Sequence, residues 1–205
     1  MRGGVSVIPR RAALGLAGAG ALSGCGVLAR PAYVQRRVWP IAARRSVRRA
    51  APVLEPPLGP VLAVRALTAG PGLDATGVEW LRPDGSLHVD FYNQWAVPPA
   101  EGVTDALRRW LAASGRFGAV VGTDSGLTPS LTLEGQLTAF LGEPARGQAE
   151  VRLALVLRRG GRLLAQRVVT GRARLADAAP EAVVRATLAA LAGACAGVER
   201  LVAAA

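Results

Sequence analysis

The sequence predicts an α/β domain of the α+β kind, built in two layers, with two helices packed on one face of a mainly antiparallel sheet. Three observations carry this. Apolar residues alternate with period two in several stretches separated by Asp-Gly and Gly-Gly turns. Two other segments show helical spacing, each with proline at its start. The order along the chain is strands, helix, strands, helix, which a two-layer packing accommodates.

The domain is expected over residues 61–205, long enough for a core of its own. Val61-Leu62-Ala63-Val64 begins the first strand. Gly77 to Leu81 and Leu87 to Tyr92 flank Pro83-Asp84-Gly85, a tight hairpin turn. In the second of these strands Leu87, Val89 and Phe91 face one way and His88, Asp90 and Tyr92 the other, which predicts one buried face. Pro98-Pro99 opens a helix with Val103, Ala106, Leu107, Trp110 and Leu111 on its apolar side, and Gly115 sits where a C-terminal cap belongs. A short strand follows over residues 117–121. Leu131, Leu133, Leu137 and Leu141 then alternate on one long strand, and Val151, Leu153, Leu155 and Leu157 on the next. That strand turns at Gly160-Gly161 into a third, ending near Leu175. The last helix begins after Asp177 with Pro180 in its first turn, and places Val184, Leu188, Leu191, Cys195, Val198 and Val202 on one stripe. Arg185, Glu199 and Arg200 argue against its crossing a membrane.

Residues 1–24 have the charge order of a secretory signal peptide. Arg2, Arg10 and Arg11 precede an uncharged stretch from Ala12 to Ser23, too short for the roughly 20 apolar residues of a membrane span. The stretch ends in Leu22-Ser23-Gly24-Cys25, which resembles a lipobox. Small residues at Ser23 and Gly24 let an extended chain enter a peptidase cleft, and the Cys25 thiol is the nucleophile that accepts lipid. Cleavage before Cys25, with diacylglycerol and an N-acyl chain on that residue, is the expectation. The export route, general secretory or twin-arginine, stays open. Acylation leaves Cys195 without a disulfide partner, and its alanine-rich setting predicts a small buried residue.

Residues 25–60 read as a lipidated, arginine- and proline-rich tether. Within it Val38-Trp39-Pro40-Ile41 is the one apolar knot, expected either as a docked edge strand or at a lipid interface. The chain carries a formal charge of +11, but the charge is uneven. Without the three signal-peptide arginines it has 22 basic against 14 acidic residues, and the tether alone holds seven arginines against Glu55. The domain keeps 15 against 13, so a phosphate-backbone surface is not indicated and no nucleic-acid partner is expected.

Catalysis and metal binding find little support. Ser86, His88 and Asp90 resemble a triad, but strand residues two apart lie about 6.6 Å from each other. A nucleophile and its base need roughly 2.6–3.2 Å. His88 is the single histidine, with no cysteine pair near it. No catalytic residue, no metal site and no dissociable cofactor are expected, and the chain is read as a non-enzyme.

From Asp84-Gly85 to Val121 the sequence resembles the ABC-type transport auxiliary lipoproteins that accompany MCE-type lipid transport systems, the Mla-like and paraquat-inducible ones among them. The matching residues are Leu87 to Trp95, then Pro98-Pro99, Leu107, Leu111, Gly115 and Phe117. Asn93 and Trp95 are the most telling, and Gln94 stands where arginine is common. The resemblance implies a periplasmic accessory subunit, anchored by lipid, that works with an MCE-domain substrate-binding protein, an ABC permease and an ATPase in moving phospholipid. Homo-oligomers are compatible with it. Gly26 in place of an inner-membrane retention aspartate fits the outer membrane. Asn93, Gln94, Trp95, Pro98 and Pro99 are the candidate groove or partner contact, with Trp95 as a core aromatic the competing reading. The alternative function is a scaffold lipoprotein of envelope assembly that handles no lipid cargo.

Overall fold

A computed structural model describes residues 34–45 and 59–204. The signal peptide and the lipobox residues Leu22, Ser23, Gly24 and Cys25 lie outside the described residues. In chain order the elements are β1 (Arg37–Trp39), β2 (Val61–Val64), β3 (Thr68–Ala69), β4 (Gly77–Leu81), β5 (Leu87–Trp95) and α1 (Pro99–Ala112). There follow β6 (Ala119–Val121), β7 (Leu131–Glu143), β8 (Gln148–Arg159), β9 (Arg162–Arg174) and α2 (Pro180–Ala203). The class is α+β, with one mixed sheet and two helices.

Strand β7 organises the sheet. Along one edge it pairs antiparallel with β8, from Glu143 opposite Gln148 to Thr132 opposite Arg158, and β8 pairs in turn with β9. Its other edge takes β2, β3 and β4 in succession, all parallel. Strand β6 lies outside β2, β5 outside β4, and β1 outside β5 as an edge strand. The long antiparallel ladders are the three hairpins β4–β5, β7–β8 and β8–β9. The five remaining pairings are parallel and short, so the sheet is less uniformly antiparallel than expected. Hairpins announce themselves through turn residues such as Gly160, at φ 55°. Parallel partners are joined by long crossovers and leave no local signal.

Both helices pack on the same sheet face. Leu133, Leu137, Leu153, Leu155 and Leu157 from the sheet meet Val103, Leu107 and Leu111 of α1 and Val183, Leu191 and Val198 of α2, all fully buried. At about 25 cal/mol per Å² of apolar surface, this layer contact is the main stabilising term. Gly171 of β9 lets α2 approach to backbone contact, since a Cβ there would collide with the Ala190 carbonyl and the Ala194 amide. The predicted stripe on α1 is the buried one. On α2 it is wider, adding Val183, Ala190 and Ala194, while Leu188 is half-buried.

Three sequence expectations change. In β7 the register shifts between Leu137 and Ala139, so Phe140 rather than Leu141 enters the core. One inserted residue reverses the alternation downstream. In β5 the buried side is the one carrying Asp90, whereas Leu87, Val89 and Phe91 are 42%, 46% and 64% exposed. The opposed pair Val78 and Asp90 faces the helices, and that fixes which side of the strand is covered. Finally, residues 37–45 of the expected tether belong to the folded unit. Strand β1 pairs with β5, Ile41 is 5% exposed and lies against Gly102 of α1, and Arg45 is bonded to both helices. A three-residue strand followed by single anchoring side chains shows no periodicity, which is why composition alone reads it as linker. Docking as an edge strand, one of the two expectations for Val38 to Ile41, is observed for residues 37–39.

Candidate functional site

The Asn93 to Pro99 element is built on a break in the β4–β5 ladder. The register jumps from Val78 opposite Asp90 to Gly77 opposite Gln94, so Phe91, Tyr92 and Asn93 have no partner on β4. The Asp90 carboxylate holds this bulge. Its Oδ1 accepts from the amides of Tyr92 at 2.7 Å and Asn93 at 3.0 Å, and its Oδ2 from Nδ2 of Asn93 at 2.9 Å. A buried carboxylate satisfied by three N–H donors stabilises a backbone that the ladder no longer holds. Asn93, itself buried, uses its Oδ1 to accept from the indole Nε1–H of Trp39 at 3.2 Å. One side chain thus closes the bulge and fastens β1 to the sheet.

Gln94 is half-buried and donates to the Phe91 carbonyl at 3.2 Å. Trp95 is 2% exposed, its ring 5.0 Å from that of Phe140 and tilted by 59°. Its indole N–H finds no acceptor among the described residues. Pro98 occupies the N-cap position of α1 and is exposed, while Pro99 starts the helix and is buried. The five sequence-selected residues therefore form one structural joint, and of them Gln94 and Pro98 reach solvent. For Trp95 the geometry is that of a core aromatic.

The surface at this joint is built largely from apolar side chains. Leu87, Val89 and Phe91 project outward along β5, next to Tyr92, which is 44% exposed, and Val38 of β1, which is 59% exposed. Arg36 lies over the Phe91 ring at 4.7 Å, and the Phe91 and Tyr92 rings meet edge to face at 5.3 Å. On the same sheet face Glu79 sits opposite Val89, 4% exposed, with no hydrogen bond or ion pair from another described residue. Burial pushes its carboxyl up to about 7.

Two further features involve α2. Glu199 accepts from Nη2 of Arg45 at 2.9 Å and from the Trp110 indole at 2.8 Å, and Arg116 approaches it at 3.6 Å. Arg45 also donates to the Trp110 carbonyl at 2.6 Å and stacks over its ring at 4.4 Å. The N-terminal segment, α1 and α2 are joined there by one carboxylate. Beside this joint, Ala42, Leu188, Ala189 and Ala192 floor a groove of about 460 Å³ with Arg44 and Arg185 at its rim.

The triad-like residues are not brought together. The Ser86 hydroxyl bonds Asp84 at 2.7 Å, His88 lies against Arg82 and stacks on Trp80, and Asp90 serves the bulge. Among the described residues there is no cluster of three or more metal-ligating side chains. Cys195 is fully buried, and desolvation pushes its thiol up to about 12, so it is not a reactive group.

Among the solved structures that share the fold, two align over most of both chains. One, an uncharacterized protein, aligns with a TM-score of 0.65 at 17% identity, over 82% of this chain and 99% of its own. The other, protein XCC0632 from Xanthomonas campestris, of the family DUF330, aligns with a TM-score of 0.65 at 20% identity over the same shares. Among curated proteins no relative is found. Residues 45–198 match the sequence profile of a family described as the ABC-type transport auxiliary lipoprotein component. With its two-helix, mixed-sheet fold and a match across most of its length, the chain belongs to the ABC-type transport auxiliary lipoprotein family.

Proposed function

We propose that this protein is the accessory lipoprotein of an MCE-type ABC transport system for phospholipid, held by lipid on Cys25 at the outer membrane and facing the periplasm. It works there by docking and binding, without catalysis, alongside an MCE-domain substrate-binding protein, a permease and an ATPase. The observation that carries this reading is the family match over residues 45–198, joined to a lipobox at Leu22 to Cys25. The groove on α2 supports a lipid ligand. Its apolar floor suits an acyl chain and its arginine rim an anionic headgroup, and its volume of about 460 Å³ falls in the usual range for ligand sites.

The test is purification of the tagged full-length chain from detergent-solubilised envelopes, with mass spectrometry of the intact protein, its companions and its lipids. Three results are expected: a diacylglycerol-plus-acyl mass on Cys25, an MCE-domain protein with its permease and ATPase, and bound phospholipid. An acylated protein that brings down none of these partners would replace the transport reading with that of a scaffold lipoprotein. A chain without acyl mass would remove the anchor.

A further inference from the structure

One group of exposed apolar residues lies along β1 and β5 at one edge of the sheet. Val38 of β1 and Leu87, Val89, Phe91 and Tyr92 of β5 are all at least 42% exposed, and Leu127, Leu163 and Val168 are exposed elsewhere. Large apolar side chains exposed as neighbours, as the touching rings of Phe91 and Tyr92 are, suit an interaction surface. The parallel register, Arg37 with Asn93 and Val38 with Gln94, sets its direction. Going back along β1 from Trp39 to Arg37 runs alongside β5 from Trp95 to Asn93, the direction that leads back along β5 to Leu87.

The separation in sequence is short. Eight residues lie between Cys25 and Val34, and the nine steps from one to the other reach no more than about 32 Å even fully extended. The corner also has the side-chain chemistry of a bilayer interface. Tyr92 and Phe91 present amphipathic and apolar rings at its tip, as aromatic belts do. Arg36 stacks on Phe91 and is itself exposed, which places a cation at headgroup level beside the inserted ring.

The geometry points to this corner, centred on Val38, Phe91 and Tyr92, as a membrane-contact surface that lies on the anionic bilayer into which Cys25 is anchored. This inference rests on the lipidation of Cys25 proposed above. It adds to the anchor an orientation: β1 and the start of β5 face the lipid, and the β8–β9 hairpin at the opposite side of the sheet faces away.

Depth-dependent fluorescence quenching tests it in the lipidated protein purified from membranes. Phe91→Cys and Gly161→Cys variants each carry one environment-sensitive maleimide, Cys25 being acylated and Cys195 buried. Both introduced sites are on exposed positions, so neither substitution disturbs the core. The labelled proteins are reconstituted into vesicles of phosphatidylethanolamine and phosphatidylglycerol containing a doxyl lipid. Quenching several-fold stronger at position 91 than at 161, reduced when Arg36→Ser and Val38→Ser are added, is the expected result. Equal quenching at the two positions overturns the inference. So does a label at 91 that is shielded from the doxyl lipid by a bound protein partner or a second copy. Intact mass on the same samples separates the two claims. Without acyl mass the anchoring reading fails whatever the quenching, whereas an acylated protein with unquenched position 91 sinks the contact surface alone.

Discussion

Trp39 of β1 donates its indole N–H to Oδ1 of Asn93, and Nδ2 of the same asparagine donates to Asp90, so one amide links an edge strand to a bulge. Asn93→Leu removes both bonds and leaves the half-buried Trp39 indole N–H and the buried Asp90 Oδ2 without that partner. A loss of about 2–3 kcal/mol is expected in denaturant melts. Trp39→Phe, which keeps the ring but drops the donor, should cost about 1 kcal/mol. Hydrogen exchange separates local from global effects. In both variants the amides paired between β1 and β5 should lose protection before those of β8 do.

Trp95 should behave as core. Trp95→Ala empties a site packed against Phe140, for which a penalty of about 3–5 kcal/mol is expected. Circular dichroism and gel filtration of the variant should show a destabilised fold, and capture of the proposed MCE-domain partner should be lost with it. A variant that keeps its melting temperature while losing only the partner would make Trp95 an interface residue instead.

The hairpins and both helices were legible because their signals are local: Asp84-Gly85, Gly160-Gly161, Pro99 and Pro180 each sit where the structure turns or starts a helix. The bulges were not. Between Leu137 and Ala139 and again over residues 91–93, one or more inserted residues invert the in-and-out pattern, and alternation read from residue types carries across such a break unchanged. The polarity of β5 misled for a related reason. Asp90 is inside because it has three donors to accept from, and partners contributed by backbone geometry have no sequence signature. Likewise Arg45 and Glu199 lie 154 residues apart, and nothing near either one names the other.

Glu79 gives stability a particular pH dependence. Its carboxyl, pushed up from 4.5 to about 7 by burial, binds a proton more tightly in the folded chain than in the unfolded one. The native state then holds more protons between these values, so the stability contributed by this group falls as pH rises from about 4.5 to 7 and is lowest above 7. Glu79→Gln removes the ionisation. The variant should gain up to about 3 kcal/mol over the parent at pH 8 and almost nothing at pH 4. Urea melts across this range check it, and a gain equal at both pH values would exclude ionisation as the cause.

Glu199 is the point where the N-terminal segment and the two helices meet, and its removal should expose how tightly residues 41–45 are held. Glu199→Ala leaves the Arg45 guanidinium and the Trp110 indole without their shared acceptor in a half-buried site. Truncating one partner of such a pair costs more than the pair contributes, because the remaining charge stays desolvated; about 2–3 kcal/mol is expected. Arg45→Ala should cost less, since Glu199 keeps Trp110 and Arg116. The two losses should not add in the double variant, because each disrupts the same contact. Limited proteolysis gives the local readout. Cleavage after Arg44 or Arg45 should accelerate in Glu199→Ala and leave the β7–β8 ladder intact, which would show the segment released from the helices while the sheet holds.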